Sequence, residues 1–113
     1  MNYYGLFMAI VAIESNGDVN AVGDNGKAVG PAQIHEAVVK DCNRIAKAKF
    51  TLSDRESMLA SFDMFIIYVE HYGHKYGDIT PEIASRIWNG GPNGPDKQAT
   101  LNYWNKVNSK LTP

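Results

Sequence analysis

The stretch ESNGDVNAVGDNGKAVGPAQIH, Glu14 to His35, sets one carboxylate at the end of an apolar run and follows it with a loop holding Gly17, Gly23, Gly26 and Gly30. Upstream, Leu6, Phe7, Ile10, Val11 and Ile13 recur at helical spacing. The first helix therefore begins almost at Met1 and is expected to end near Glu14, with Gly17 just past its stop. From Asn16 to Gly30 the density of Gly, Asn and Asp argues for tight irregular backbone or at most a small hairpin. Pro31 suits the first turn of a second helix, whose Ile34, Val38, Val39, Cys42 and Ile45 fall on one face.

Downstream the pattern stays helical. Ser53-Asp54-Arg55-Glu56 has the spacing of a capping box and predicts a third helix from about Ser53. Its Met58, Phe62, Phe65, Val69, Tyr72 and Tyr76 alternate three and four apart as a candidate core spine, with Gly77 as a natural stop. Thr80-Pro81-Glu82 opens a fourth helix through Ile83, Ala84 and Ile87, which Asn89-Gly90-Gly91 breaks. A last amphipathic helix carries Leu101, Trp104, Val107 and Leu111. No strand pattern of useful length, repeat or interdomain linker interrupts this order. The expected fold class is all-α: about five helices with a Gly-rich loop or minimal hairpin, in a single domain over residues 1–113.

With 113 residues and 44% hydrophobic content the chain can enclose one core. Its net charge of -1 comes from 11 basic and 12 acidic residues without a like-charge block, which nominates neither nucleic acid nor an anionic membrane as a partner. Cys42 is alone, so no internal disulfide is expected. No Cys/His cluster has the spacing of a zinc site, and neither metal nor cofactor is expected. His71 and His74 sit three apart but lack an evident third ligand, and read as surface residues. Leu6 to Ile13 lacks a basic leader and a cleavage site and is too short to span a bilayer, so neither a signal peptide nor membrane insertion is expected.

Two carboxyls in unlike surroundings carry the candidate chemistry. Glu14, held beside apolar residues, can keep a proton near neutral pH because desolvation disfavours its charged form. Asp24, ten positions on, lies in a loop that stays wet. One group able to donate a proton and one able to steer water are the minimal equipment for glycoside hydrolysis. Each also has a plainer reading: Glu14 as a solvated charge at a helix end, Asp24 as a turn former in Gly23-Asp24-Asn25-Gly26.

Glu14-Ser15, Asn20-Ala21-Val22, Gly26 and Gly30-Pro31-Ala32-Gln33-Ile34 resemble the opening signature of soluble lytic transglycosylases and their goose-type lysozyme relatives. Ile87-Trp88-Asn89-Gly90-Gly91 looks like their Asn-Gly-Gly motif, Ser61 to Val69 is similar to a central family helix, and Thr100 to Val107 is similar to the closing one. The likeness runs over nearly the whole chain. It implies a lysozyme-like helical fold in which Glu14, ending the first long helix, is the catalytic acid. It also implies substrate-binding positions for Gln33 and Asn89, and makes His35, Trp88, Gly90, Tyr68 and Tyr103 further candidates. Trp88 would wall the cleft and Gly90 would allow close backbone approach, whereas Tyr68 and Tyr103 read equally as core, and Gln33 equally as a cap on loop backbone.

Two departures bear on the chemistry. Transglycosylases usually place a serine where this chain has Gly23. Goose-type lysozymes match Gly23-Asp24-Asn25-Gly26, Gly30 and Gln33 without a gap, and there the aspartate positions the hydrolytic water. A second aspartate of that group is replaced by His35, read here as a polar neighbour in the cleft. The resemblance thus implies a muramidase cutting the β-1,4 bond between N-acetylmuramic acid and N-acetylglucosamine, with Glu14 as general acid and Asp24 positioning water. The alternatives are a lytic transglycosylase forming 1,6-anhydromuramic ends with Glu14 as sole acid and base, and a non-cutting glycan-binding or virion structural domain. The expected partner is bacterial peptidoglycan, met by a monomer. Made in the cytoplasm, it would reach the wall through a pore, within a virion or as part of a larger protein, as a phage endolysin or lytic virion domain does.

Overall fold

The computed structural model describes residues 1–111. Helix α1, Tyr3–Ser15, starts where the Asn2 side chain accepts a hydrogen bond from the Gly5 N–H at 3.0 Å. It stops at Asn16, whose φ of 55° is the left-handed conformation that asparagine tolerates at a helix end. Its Leu6, Phe7, Ile10 and Val11 are buried. Each such side chain contributes about 1.5–3 kcal/mol of apolar burial, so the helix is anchored by packing more than by propensity. Glu14 thereby gains a fixed place in the last turn.

The glycine-rich loop forms the minimal hairpin. Strands β1, Val22–Gly23, and β2, Ala28–Val29, pair antiparallel with Val22 opposite Val29 and Gly23 opposite Ala28. A 3-10 turn at Asp24–Gly26 joins them.

Helix α2 begins at Glu36 and runs to Ala46, five residues later than the Pro31 start the sequence predicts. The chain first turns back: Gln33 takes φ 53°, and Val29 and Ile34 exchange backbone hydrogen bonds at 3.0 and 3.2 Å. Ser15 fixes this turn to α1 by donating from Oγ to the Pro31 carbonyl at 2.8 Å. A proline compatible with a helix start is equally compatible with a turn, and here tertiary bonds decide. Ile34 still joins the core, with Val39 and Cys42 of α2.

Helix α3, Met58–Gly73, also starts later than expected, capped by Ser57, whose Oγ accepts from the Ala60 N–H at 3.1 Å. Ser53 to Glu56 lies instead in a 3-10 turn, Leu52–Glu56, in which Asp54 accepts from the Thr51 N–H at 2.8 Å. This turn is clamped to the hairpin. Arg55 donates to the Ile34 carbonyl at 3.2 Å, and its own carbonyl passes so close to Gly30 that a Cβ there would stand 1.7 Å from it. The buried face of α3 carries Ser61, Met64, Phe65, Tyr68 and Val69. Phe65 and Val69 of the expected spine are enclosed, while Met58, Phe62, Tyr72 and Tyr76 pack on its flank. The helix gives way after Gly73 to a 3-10 turn ending before Gly77 at φ 87°.

Helix α4, Pro81–Gly90, has the predicted cap, Thr80 Oγ1 accepting from the Ile83 N–H at 3.1 Å, and ends where Gly91 at φ 87° donates to the Ile87 carbonyl. A 3-10 turn, Gly94–Asp96, leads into helix α5, Ala99–Leu111, which packs against α1 and α4. On α5 Val107 is buried and Tyr103, Trp104 and Leu111 pack against the core, but Leu101 is exposed. Thr100 takes the inner position, its hydroxyl donating to the Gly94 carbonyl at 2.7 Å. The described residues form a mostly helical compact domain of five α-helices and one two-stranded hairpin. Among the described residues no helix is long and apolar enough to cross a membrane.

Candidate active site

The end of α1, the hairpin, the 30–35 turn and the end of α4 surround a cleft of about 380 Å³. Glu14, Asp24, Gln33, His35, Tyr68, Trp88 and Asn89 all line it, and Ala28, Ile34 and Val38 give it an apolar wall. Gly91 rather than Gly90 reaches the lining, because Gly90 is still helical and faces Thr100 of α5. Tyr103 lies outside the lining. The apolar wall was not singled out from sequence, although Ile34 and Val38 share the inward face expected of the second helix.

Glu14 is mostly withdrawn from solvent, and that burial raises its pKa above the ordinary carboxylate value. One hydrogen bond opposes the shift: the Tyr103 hydroxyl, carried by α5, donates to Glu14 Oε2 at 2.8 Å. Burial beside a carboxylate pushes the Tyr103 hydroxyl far upward, so it stays a donor throughout the working pH range. Tyr103 thus touches the candidate acid from behind.

Asp24 stands in the opposite condition. It sits in the hairpin turn with its side chain 58% exposed, and its Oδ2 lies 3.1 Å from His35 Nε2. Asp24 and Asn25 have φ of 49° and 56°, and Gln33 has 53°. Left-handed backbone costs a non-glycine residue about 1–2 kcal/mol, with Asn and Asp the most tolerant, and such conformations gather where a loop must present side chains in one direction.

Gln33 fills both readings open to it. Its Nε2 donates to the carbonyls of Gly30 at 3.0 Å and Ala21 at 3.2 Å, tying the turn to the hairpin, while the side chain also lines the cleft. A Cβ on Gly23 would lie 2.5 Å from Gln33 Oε1. The absence of a side chain at position 23 is therefore the space in which Gln33 sits. Trp88 is pinned likewise: its Nε1 donates to the Ala32 carbonyl at 3.3 Å, and its ring meets Phe65 and Tyr68 edge-on at centroid distances of 5.3 and 5.8 Å. Such pairs hold the indole rigid where it meets the cleft.

His71 and His74 are exposed and line a different groove with Glu70 and Ile79. Among the described residues no three His, Cys, Asp or Glu side chains converge as a metal site would require. Cys42 is buried in the core, its thiol pushed up to about 12 by desolvation, so it is unsuited to nucleophilic work. The cleft therefore offers one carboxyl biased toward its protonated form and one solvent-facing carboxylate, across a surface with a fixed aromatic plate.

No model of a known protein family matches the chain, and no curated protein matches it significantly.

Proposed function

We propose that the protein is a muramidase that hydrolyses the β-1,4 bond between N-acetylmuramic acid and N-acetylglucosamine in bacterial peptidoglycan. The observation that carries this reading is the asymmetry of the two cleft carboxyls: Glu14 largely withdrawn from solvent with a raised pKa, Asp24 exposed at the hairpin turn. Glu14 delivers its proton to the bridging oxygen as positive charge develops on the muramic ring, a contribution of roughly 10²–10⁴ in typical enzymes. Asp24 accepts a proton from the water that attacks the anomeric carbon from the other face. Trp88 offers an apolar surface to a sugar ring, and Asn89 a polar group at its edge. The motif resemblance from Glu14-Ser15 through Asn89-Gly90-Gly91 supports the same substrate.

One observation favours a second reading. Asp24 is more than half exposed and one of its oxygens is occupied by His35, whereas Glu14 is only partly exposed and would serve as acid and base together. In that case the muramic C6 hydroxyl attacks and Glu14 closes a 1,6-anhydro ring without water. Glu14→Gln tests the common core of both: release of soluble fragments from purified peptidoglycan falls by about 10³-fold or more while sedimentation with the wall is retained. Undiminished release would remove Glu14 from the chemistry and the reading with it.

A further inference from the structure

His35 occupies the N-cap position of α2, where Ser, Thr, Asn or Asp normally accepts a bond from the first turn, yet its side chain makes no capping bond. It turns instead across the gap to the hairpin, where Nε2 stands 3.1 Å from Asp24 Oδ2. The left-handed backbone of Asp24 fixes where that carboxylate leaves the turn, but at 58% exposure nothing else in the protein holds its rotation: no other side chain bonds to it among the described residues. We infer that His35 is the positioning residue for Asp24, engaging Oδ2 so that Oδ1 is left facing the cleft to receive a proton from water.

This inference rests on the hydrolytic reading of the site. In that step the water oxygen bonds to the anomeric carbon as the bond to the bridging oxygen breaks. The Glu14 proton goes to the departing oxygen, and the proton lost by water goes to Asp24 Oδ1. Only the last transfer depends on the direction of the Asp24 carboxylate, and misplacing a reacting group by about 1 Å can cost on the order of 10²-fold. The contact lies half in solvent, where a side-chain contact of this kind adds little to folding stability. A role in positioning therefore predicts an effect on turnover without one on the thermal midpoint.

The test is steady-state kinetics on soluble peptidoglycan glycan strands with wild type, His35→Ala, His35→Gln, Asp24→Asn and the Asp24→Asn/His35→Ala double variant. His35→Ala is expected to lower kcat about tenfold with KM within about twofold, and His35→Gln, whose amide nitrogen reaches a similar place, to recover most of it. Asp24→Asn is expected to lower kcat by about 10²-fold or more, and adding His35→Ala to it to change nothing further. Multiplicative losses in the double variant, a loss in KM alone, or an unchanged His35→Ala would each overturn the positioning role while leaving the muramidase reading intact. Absence of reducing muramic ends from the wild type would remove the hydrolytic reading and the inference together. Circular dichroism melts of each variant, expected to coincide with wild type, separate these results from a folding defect.

Discussion

The hydroxyl of Tyr103 spans 89 positions of sequence to donate to Oε2 of Glu14 at 2.8 Å, so the last helix holds the carboxyl that ends the first. Burial and this bond act on Glu14 in opposite directions, and burial wins. Tyr103→Phe removes only the opposing influence. Glu14 then keeps its proton to a still higher pH, and the alkaline limb of the kcat/KM profile is expected to move upward. Chemical denaturation should register a loss of about 1–2 kcal/mol from the missing bond to a partly buried carboxyl. An alkaline limb that moves downward would contradict this account of the acid.

The same raised pKa makes a stability prediction. The folded protein holds the Glu14 proton at pH values where the unfolded chain, near the ordinary 4.5, has already released it. Stability from this group is thus fully present below that ordinary value and is lost as pH rises through the raised folded value. Glu14→Gln keeps an oxygen to accept from Tyr103 but has no charge to bury. Its thermal midpoint is expected to exceed that of wild type at pH 7 and to converge with it by about pH 4, as followed by calorimetry across that range.

Gly30 is required by geometry twice over. Its φ is 86°, and a Cβ would stand 1.7 Å from the Arg55 carbonyl, a backbone atom that cannot swing aside. Gly30→Ala is expected to cost about 3 kcal/mol or more, combining left-handed strain with overpacking, and urea denaturation reads it directly. Because the turn at 30–33 carries Gln33 and His35 toward the cleft, activity is expected to fall below what the unfolded fraction accounts for.

Gly23→Ala makes a contrasting case. The clash at 2.5 Å is with the amide end of Gln33, which can rotate away. A stability loss of about 1–2 kcal/mol is expected, from the bonds Gln33 gives up to Gly30 and Ala21. Activity is expected to drop further than stability, about tenfold or more in kcat/KM, because Gln33 leaves the cleft wall.

Much of the helical order was legible because it rests on local chemistry. Thr80 caps its helix through its own side chain as its sequence signal predicts, and Leu6, Phe7, Ile10 and Val11, which recur at helical spacing, are buried. The starts of α2 and α3 were misread for a common reason. Pro31 and Ser53 carry valid helix-start signals, but Ser15, Arg55 and Gly30 bind those segments to one another from distant parts of the chain. At the site, Glu14, Gln33, Trp88 and Asn89, which the family resemblance assigns to a cleft, do line one. The contact of Asp24 with His35 was not legible, since it depends on a histidine at a cap position declining to cap. Nor did any local signal say that Tyr103, rather than another aromatic, would reach Glu14.

The most direct test is mass spectrometry of the fragments released from purified peptidoglycan by wild type, with Glu14→Gln and Asp24→Asn beside it. Reducing muramic ends from wild type, lost in both variants, are the predicted result and place Glu14 as the acid and Asp24 at the water. Anhydro ends lighter by one water, formed equally well by Asp24→Asn, would contradict the hydrolytic account and return Asp24 to the turn.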